Sequence, residues 1–302
     1  MGTTIEAVAT RRSQNPLGNR ALRLADRAAR DCLEQAGRTS GELDLLINVG
    51  VYRDKNLAEP ALAALIQEDI GANPGHPPVA GHGTFSFDVD NGACGVLTAA
   101  YLLDGFLRSG AIHLGMAVAS DVDPGPSRGY RFRPVGGALL LGRDDAIPGL
   151  TDFHFETFPE YAGLFDSRVS WKERPGPRLP GRAAGRSVLT VREKPGYASQ
   201  CLDRTQVAVE KYAADHGLTI RELDLVATSG PFVEFPVELA ARVGIPPERI
   251  AGPTRGSRRA HTAGPIAALE SARQSGQFDA ARTALWVAVG AGITVGLALY
   301  RR

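Results

Sequence analysis

The sequence predicts an α/β fold built from two similar halves, and an internal repeat is the first observation behind this prediction. Residues 32–50 and 211–230 align at an offset of 180, with the tetrapeptide Glu-Leu-Asp-Leu at 42–45 and again at 222–225. Each copy has apolar residues at helical spacing, a glycine where the helix should end, and a short apolar run typical of a buried strand. A repeat that keeps this order predicts two βαβ-type units of the same construction.

The two halves also continue in parallel, which is the second observation. Residues 94–121 and 261–289 each contain a helical pattern that ends near a Ser-Gly pair and is followed by an apolar strand. Counted back from those pairs, Cys94 and His261 occupy nearly equivalent places at the starts of their helices. Two halves related by a pseudo-twofold axis would bring these places together, so we expect the thiol and the imidazole to meet. We also expect the helix N-terminus to lower the pKa of the Cys94 thiol.

The C-terminal run Ala284–Tyr300 supplies the third observation. It holds 17 uncharged residues, which is close to the lower limit for a membrane-spanning helix. Gly290, Ala291 and Gly292 interrupt the run, and residues typical of strands flank them. We therefore predict two buried strands joined by a glycine turn rather than a membrane span.

Composition limits the classes of function. The chain has 302 residues, a formal net charge of +1 and 43% hydrophobic residues, which favours a folded globular protein over a disordered one. The near-neutral charge argues against nucleic-acid binding as the main task. Three cysteines are too few for a disulfide framework, and neither a CxxC motif nor clustered histidines predict a metal site. The N-terminus lacks an apolar signal stretch, so we expect a cytoplasmic protein that does not enter a membrane.

Four stretches resemble the β-ketoacyl-ACP synthase III family of condensing enzymes, which has the thiolase fold. They are the loop Phe87–Gly95 around Cys94, Ser127–Gly129 together with Val135–Leu141, His261–Pro265, and the ending Gly290–Leu299. The resemblance implies two pseudo-twofold-related βαβ halves in a five-layered α-β-α-β-α arrangement. Residues 1–150 would carry the nucleophile, and residues 151–302 would carry His261 and the glycine turn.

The resemblance also implies roles for individual residues. Cys94 would be the acyl-accepting nucleophile, and the backbone N–H groups of Cys94 and Ala291 would form an oxyanion hole. Arg128 matches an arginine that contacts the coenzyme A nucleotide, and Gly292 and Phe232 are placed among the substrate-binding residues. The family needs no permanently bound cofactor, because a phosphopantetheine thioester on coenzyme A or acyl-carrier protein brings the acyl group.

The sequence departs from the family pattern at the other catalytic positions. Ser229 stands where the family has a catalytic His, and His261 stands where it has a catalytic Asn. Glu234 replaces an arginine that binds phosphate, and a segment that helps to line the coenzyme A entrance is largely missing near the N-terminus. We expect His261 to deprotonate Cys94 and then to activate the acceptor, and Ser229 to hold a water molecule or to orient His261.

These departures lead to three hypotheses for the function. Decarboxylative condensation needs two polar donors on the enolate oxygen, and the loss of one such donor costs about 2.7–4 kcal/mol. The leading hypothesis is therefore an acyltransferase of specialised metabolism, which passes an acyl group from an ACP or CoA thioester through Cys94 to a small-molecule acceptor. The first alternative is a Claisen-condensing β-ketoacyl synthase in which His261 and a water replace the lost donor. The second is a catalytically degenerate subunit of another ketosynthase, and we expect a homodimer or such a heterodimer.

Overall fold

The computed structural model describes residues 2–12, 20–54, 59–73, 83–122, 133–144, 146–173, 185–257 and 259–302. The helices in these ranges are α1 Ala21–Ala36, α2 Leu62–Ile70, α3 Gly95–Ser109, α4 Tyr197–Asp215, α5 Phe235–Val243, α6 Gly264–Gln274 and α7 Gln277–Ala280. The strands are β1 Gly2–Arg12, β2 Leu45–Asn48, β3 Phe85–Asp88, β4 Leu114–Asp121, β5 Val135–Asp144, β6 Gly149–Thr157, β7 Phe165–Glu173, β8 Gly185–Glu193, β9 Leu225–Ser229, β10 Ile250–Ala251, β11 Thr283–Gly290 and β12 Thr294–Arg301.

Ten strands form one continuous sheet that consists of two five-stranded groups. The order is β10-β9-β11-β12-β6-β1-β5-β4-β2-β3. The two groups meet between β6 and β1, where the register contains the single pair Thr3 and Leu150. Counted from the outer edge of each group, the first three strands are parallel to one another. Each of the next two strands is antiparallel to the strand before it. The groups thus have the same strand order and the same directions.

The helices cover the two groups in layers. Helices α3 and α6 lie between the groups, because each contacts strands of both. Helices α1 and α2 cover the outer face of the first group, and α4 and α5 cover that of the second. The strands are apolar on both faces as a result: Leu45 and Ile47 face the central helices, whereas Leu46 faces α1 and α2. The predicted five-layered α-β-α-β-α arrangement is confirmed.

The Glu-Leu-Asp-Leu repeat has the same structural task in both halves. Asp44 accepts hydrogen bonds from the backbone N–H groups at the start of β4, at 2.6 and 3.1 Å. Asp224 does the same at the start of β11, at 3.0 Å for both bonds. The leucines on either side of each aspartate are buried. Gly37 and Gly217 follow α1 and α4 with φ of +66° and +60°, a conformation that favours glycine.

The apolar C-terminal run forms two neighbouring antiparallel strands, β11 and β12, as predicted. Among the described helices, none is long and apolar enough to cross a membrane. Strands β7 and β8 form a separate antiparallel pair between β6 and α4. A division after residue 150 would cut β6 near its start, so we propose a boundary between the halves in the segment between β5 and β6.

Candidate active site

The loops before α3 and α6 meet between the two halves. Cys94 and His261 are close to equivalent positions in these loops, but they are not exact counterparts. Cys94 directly precedes the first residue of α3, whereas His261 stands three residues before the first residue of α6. The true counterpart of His261 is therefore Gly92. A Cβ atom on Gly92 would lie 3.9 Å from His261 Nε2, and Gly92 has a φ of +49°. The imidazole thus faces the loop that carries Cys94.

The Cys94 side chain is fully buried beneath this loop. Its thiol lies within donating distance of the carbonyl oxygens of Thr294 at 3.3 Å and Ala288 at 3.6 Å. Burial raises the pKa of the Cys94 thiol to about 12. The expectation of a lowered thiol pKa was wrong, because the helix N-terminus does not offset the removal of the thiolate from water.

The two predicted oxyanion donors are placed differently. The Cys94 backbone N–H donates to the carbonyl of Asn91 at 3.0 Å, so it already has a partner in this structure. Ala291 is exposed in the turn between β11 and β12. The adjacent Gly290 lies against the nucleophile loop, where its Cβ would come within 3.3 Å of the Ala93 nitrogen. The turn and the loop are thus in close contact, as a shared oxyanion site requires.

His261 is held by a buried carboxylate that sequence reasoning missed. His261 Nδ1 lies 2.8 Å from Asp121 Oδ2, at the end of β4. The same oxygen accepts hydrogen bonds from the backbone and the hydroxyl of Thr262, at 2.9 and 2.7 Å. The other oxygen accepts from the backbone N–H groups of Val51 and Tyr52, at 2.9 and 2.7 Å. Burial alone would raise the pKa of Asp121, but His261 and these hydrogen bonds hold it below its ordinary value.

This pairing determines what the imidazole can do. A carboxylate on Nδ1 fixes the orientation of the ring and stabilises its protonated form, so Nε2 can take and return a proton. Tyr52 packs against the His261 ring, with 5.0 Å between the ring centroids. His261 and Asp121 therefore have the geometry of a positioned general base where the loops of the two halves meet.

A pocket opens beside the His261–Asp121 pair. Ser229, at the end of β9, and His261 both line it, so the structure brings these two predicted residues together. Cys94 is not in the lining, although its neighbour Ala93 is. The lining consists of Ala93, Phe165, Tyr197, Ser229, Gly230, Pro231, Arg259, Ala260, His261, Val289 and Gly290.

The remaining predicted residues lie near the pocket, at the surface or outside the described ranges. Phe232 is partly buried and packs edge-on against Phe235, with ring centroids 5.5 Å apart, while its neighbours Gly230 and Pro231 line the pocket. Gly292 is half-buried in the turn after β11, and Glu234 is exposed before α5. Arg128 lies outside the described residues.

Three further lining residues are not among the predicted catalytic and substrate-binding residues. Phe165 and Tyr197 pack together with 5.3 Å between their ring centroids. Arg259 has a φ of +68°, which is uncommon for a residue with a side chain and often marks a functional site. The sequence offered one signal for Arg259, its place in the basic stretch just before His261.

The chain is similar to known proteins both in sequence and in fold. No protein-family profile matches the chain. The β-ketoacyl-[acyl-carrier-protein] synthase III of Bordetella petrii is 25% identical over 289 residues, which cover 92% of this chain and 80% of the relative. The protein of the same name from Hyphomonas neptunium is 25% identical over 293 residues, covering 92% and 83%.

Solved structures agree with these relatives. The 3-oxoacyl-(acyl carrier protein) synthase III of Pseudomonas aeruginosa superimposes with a TM-score of 0.80 at 17% identity, covering 100% of this chain and 98% of that one. The Aquifex aeolicus protein of that name gives 0.77 at 18% identity with full coverage of both chains. The priming β-ketosynthase of the R1128 polyketide pathway gives 0.75 at 18% identity, covering 99% and 96%. The chain thus has the thiolase fold of these solved structures, and over most of its length it is similar in sequence to β-ketoacyl-ACP synthase III proteins.

Proposed function

We propose that the protein is an acyltransferase of the ketosynthase III type, acting in the cytoplasm. An acyl group would move from a CoA or acyl-carrier-protein thioester to Cys94, and from Cys94 to a small-molecule acceptor. The single observation that carries this proposal is the His261–Asp121 pair, held at 2.8 Å beside the pocket and facing the Cys94 loop. The names of the sequence relatives support the donor class, because they act on acyl-carrier-protein substrates.

The first half-reaction loads the enzyme. His261 Nε2 takes the proton from the Cys94 thiol, and the sulfur attacks the thioester carbonyl carbon. The bond from that carbon to the carrier sulfur breaks, and His261 returns the proton to the leaving thiol. Because burial favours the neutral thiol, the proton must move as the carbon–sulfur bond forms. Asp121 stabilises the imidazolium during this step.

The second half-reaction reverses these roles. The acceptor atom loses its proton to His261 as it attacks the acyl carbon, the bond to Cys94 breaks, and Cys94 recovers a proton from His261. In both steps the carbonyl oxygen becomes negative. The Ala291 N–H would stabilise it, and the Cys94 N–H would join once it leaves the Asn91 carbonyl.

One observation favours a second candidate function. Ser229 and His261 line the same pocket, so a hydroxyl and an imidazolium could together hold an enolate oxygen. That arrangement would allow decarboxylative condensation of a malonyl thioester. Release of carbon dioxide that depends on the loaded enzyme would support condensation, and its absence during acyl transfer would support the leading proposal.

We further propose that the protein forms a homodimer whose interface includes the edge strand β3 and exposed aromatic side chains of α3. Phe85 on that strand is 62% exposed, and Tyr101 and Phe106 on α3 are 54% and 38% exposed. Large exposed aromatic side chains, and a strand at the edge of the sheet within the described part of the chain, mark surfaces that another chain can cover. Light scattering should give twice the chain mass for the wild type and a monomer for Phe85→Glu/Tyr101→Glu. A stable monomeric wild type would contradict this, and co-purification with a related ketosynthase chain would favour the degenerate-subunit alternative.

Intact-protein mass spectrometry tests the proposed acyl transfer. The protein is incubated with acyl-CoA and acyl-carrier-protein donors of varied chain length. The wild type should gain one acyl mass, and Cys94→Ala should gain none. Cys201→Ala is the matched control, because Cys201 is a second fully buried thiol on α4 and its pKa is also raised to about 12 by burial. Failure of every donor to acylate the wild type would reject the proposal.

A further inference from the structure

The proposed chemistry leaves one buried carboxyl group near the pocket without a task. Glu193 is half-buried at the end of β8, and its Oε1 atom is shielded from solvent and has no hydrogen-bond partner among the described residues. Buried carboxyl oxygens are nearly always paired in folded proteins, because an unpaired one loses its hydration without compensation. An oxygen in this state beside a binding pocket suggests that a ligand supplies its partner.

The hairpin places Glu193 beside the pocket. Glu193 is directly opposite Phe165 in the β7–β8 register, so the two side chains lie on the same face of the hairpin. Other buried side chains of this face pack against Tyr52, which also packs on the His261 ring. Phe165 lines the pocket, and so does Tyr197, four residues after Glu193. The carboxyl group thus lies near Phe165 of the pocket wall and near Tyr52, which packs on the His261 ring.

The charges around Glu193 compensate its negative charge only in part. The titratable groups that interact with it from neighbouring elements are Tyr52, Arg259 and Cys201. Burial raises the pKa of Glu193 to about 7, and Arg259 opposes this rise. Glu193 is not in an ion pair within the described part of the chain. A carboxylate in this position gains most from a bound cation that also donates hydrogen bonds.

We propose that Glu193 recognises a positively charged acceptor, whose ammonium group binds the carboxylate while its nucleophilic atom faces His261. The inference rests on the proposed acyl transfer and names the class of its acceptor. An ammonium group satisfies the unpaired oxygen and neutralises its charge, which a neutral alcohol or an anionic acceptor cannot do. Glu193 is therefore the specificity-determining residue of the second half-reaction.

Three acceptor thiols of similar size but different charge test this inference directly. Correction for the intrinsic reactivity of each thiol leaves the effect of its charge. Cysteamine is cationic, 2-mercaptoethanol is neutral and 3-mercaptopropionate is anionic. Each thiol attacks the acyl carbon, the bond to Cys94 Sγ breaks, and the thiol proton ends on Cys94, so loss of the acyl mass reports transfer. After correction for the uncatalysed exchange rate of each thiol, we expect cysteamine to be about tenfold faster than 2-mercaptoethanol, with 3-mercaptopropionate slowest.

The substitution Glu193→Gln should bring the corrected cysteamine to 2-mercaptoethanol ratio close to one. The ratio is taken within one variant, so a change in loading does not affect it. Glu173→Gln, an exposed glutamate at the other end of the hairpin, should keep the wild-type ratio. Equal corrected rates for the three thiols in the wild type, or an unchanged ratio in Glu193→Gln, would overturn the inference.

A binding measurement decides the inference even if no donor loads Cys94. Ethanolamine, which carries the same ammonium group without a thiol, is titrated with the unmodified protein and followed by ligand-observed NMR. We expect saturation transfer to ethanolamine with the wild type and with Glu173→Gln, and none with Glu193→Gln. Failed loading together with this binding pattern would reject the proposed function and keep the cation site. Absent binding to the wild type would reject the site.

Discussion

The two halves have the same scaffold but fill its equivalent positions differently. In the first half Gly95, at the start of α3, packs on Val49, where a Cβ on the glycine would lie 3.0 Å from the valine Cβ. In the second half Gly264, at the start of α6, packs on Ser229, where the Cβ would lie 2.9 Å from the hydroxyl oxygen. Only glycine allows the helix to approach so closely, so the backbone contact is kept while the partner changes from apolar to polar.

The same contrast extends to the reacting groups. Gly92 in the first half is the counterpart of His261 in the second. Asp121 ends β4, and its counterpart at the end of β11 is Gly290. The first half thus supplies the thiol and the carboxylate, and the second supplies the imidazole and the glycine turn. The repeat therefore determines the fold of each half. The candidate site arises where the halves meet, from side chains that differ between equivalent positions.

Loss of the contact between Asp121 and His261, which joins the two halves, should reduce the acylation rate of Cys94 more than any other change. Asp121→Asn removes the negative charge that holds His261, so we expect single-turnover acylation of Cys94 to fall about 100-fold. His261→Ala should reduce it as strongly, and the double variant should be no slower than the worse single variant, because the two residues act as one unit. Rates should be measured by rapid quench and intact mass. Additive losses in the double variant would show that the two side chains act separately.

The lowered pKa of Asp121 also predicts how the stability of the protein changes with pH. Its pKa is lowered in the folded protein, so its contribution to stability is present above the ordinary carboxyl pKa and is lost as pH falls through the lowered value. Wild-type melting temperatures should therefore approach those of Asp121→Asn as the pH falls towards 3. A difference in melting temperature between the two proteins that stays constant from pH 7 to pH 3 would contradict this.

Replacing Ser229 by valine sharpens the comparison between the halves. The substitution gives the second half the side chain that Val49 provides in the first, packed against an equivalent glycine. We expect the fold to tolerate it, with a cost of about 1–3 kcal/mol in the free energy of unfolding because valine is larger than serine. If Ser229 orients His261 or a water molecule, transfer from acyl-Cys94 should slow about tenfold, less than the loss of a direct general base. Unchanged transfer kinetics would assign Ser229 to packing alone.

The pKa shift of Glu193 is opposite in direction to that of Asp121. Burial raises the pKa of Glu193 to about 7, so the protein loses stability as pH rises from the ordinary carboxyl pKa towards 7. Glu193→Gln removes this penalty and should stabilise the protein by about 1–2 kcal/mol at pH 8, after allowance for solvent screening, and hardly at all at pH 4. Denaturant unfolding at the two pH values measures the difference. Equal stabilisation at both would point to a change in packing instead of a buried charge.

The sequence predicted the frame better than the site, for identifiable reasons. The repeated Glu-Leu-Asp-Leu segments and the glycine-interrupted C-terminal run are local patterns, and local patterns determine strands, helix ends and their order. Asp121 reaches His261 across 140 residues of sequence, and no local pattern reports such a contact. Eight residues separate β1 from α1 in the first half, whereas the β7–β8 hairpin stands between β6 and α4 in the second half. Because the hairpin has no counterpart in the repeat, the repeat could not predict the position of Glu193. The pKa of Cys94 was misjudged because helix position can be inferred from sequence but burial between two sheets cannot.

The central claim is that Cys94 carries the acyl group, and peptide mapping tests it most directly. The protein is loaded with a ¹³C-labelled acyl thioester, digested at acidic pH and analysed by tandem mass spectrometry, with and without a chase of acceptor thiol. We predict the label on Cys94 before the chase and its loss afterwards. Label on Ser229, or label on Cys94 that no acceptor removes, would contradict the account.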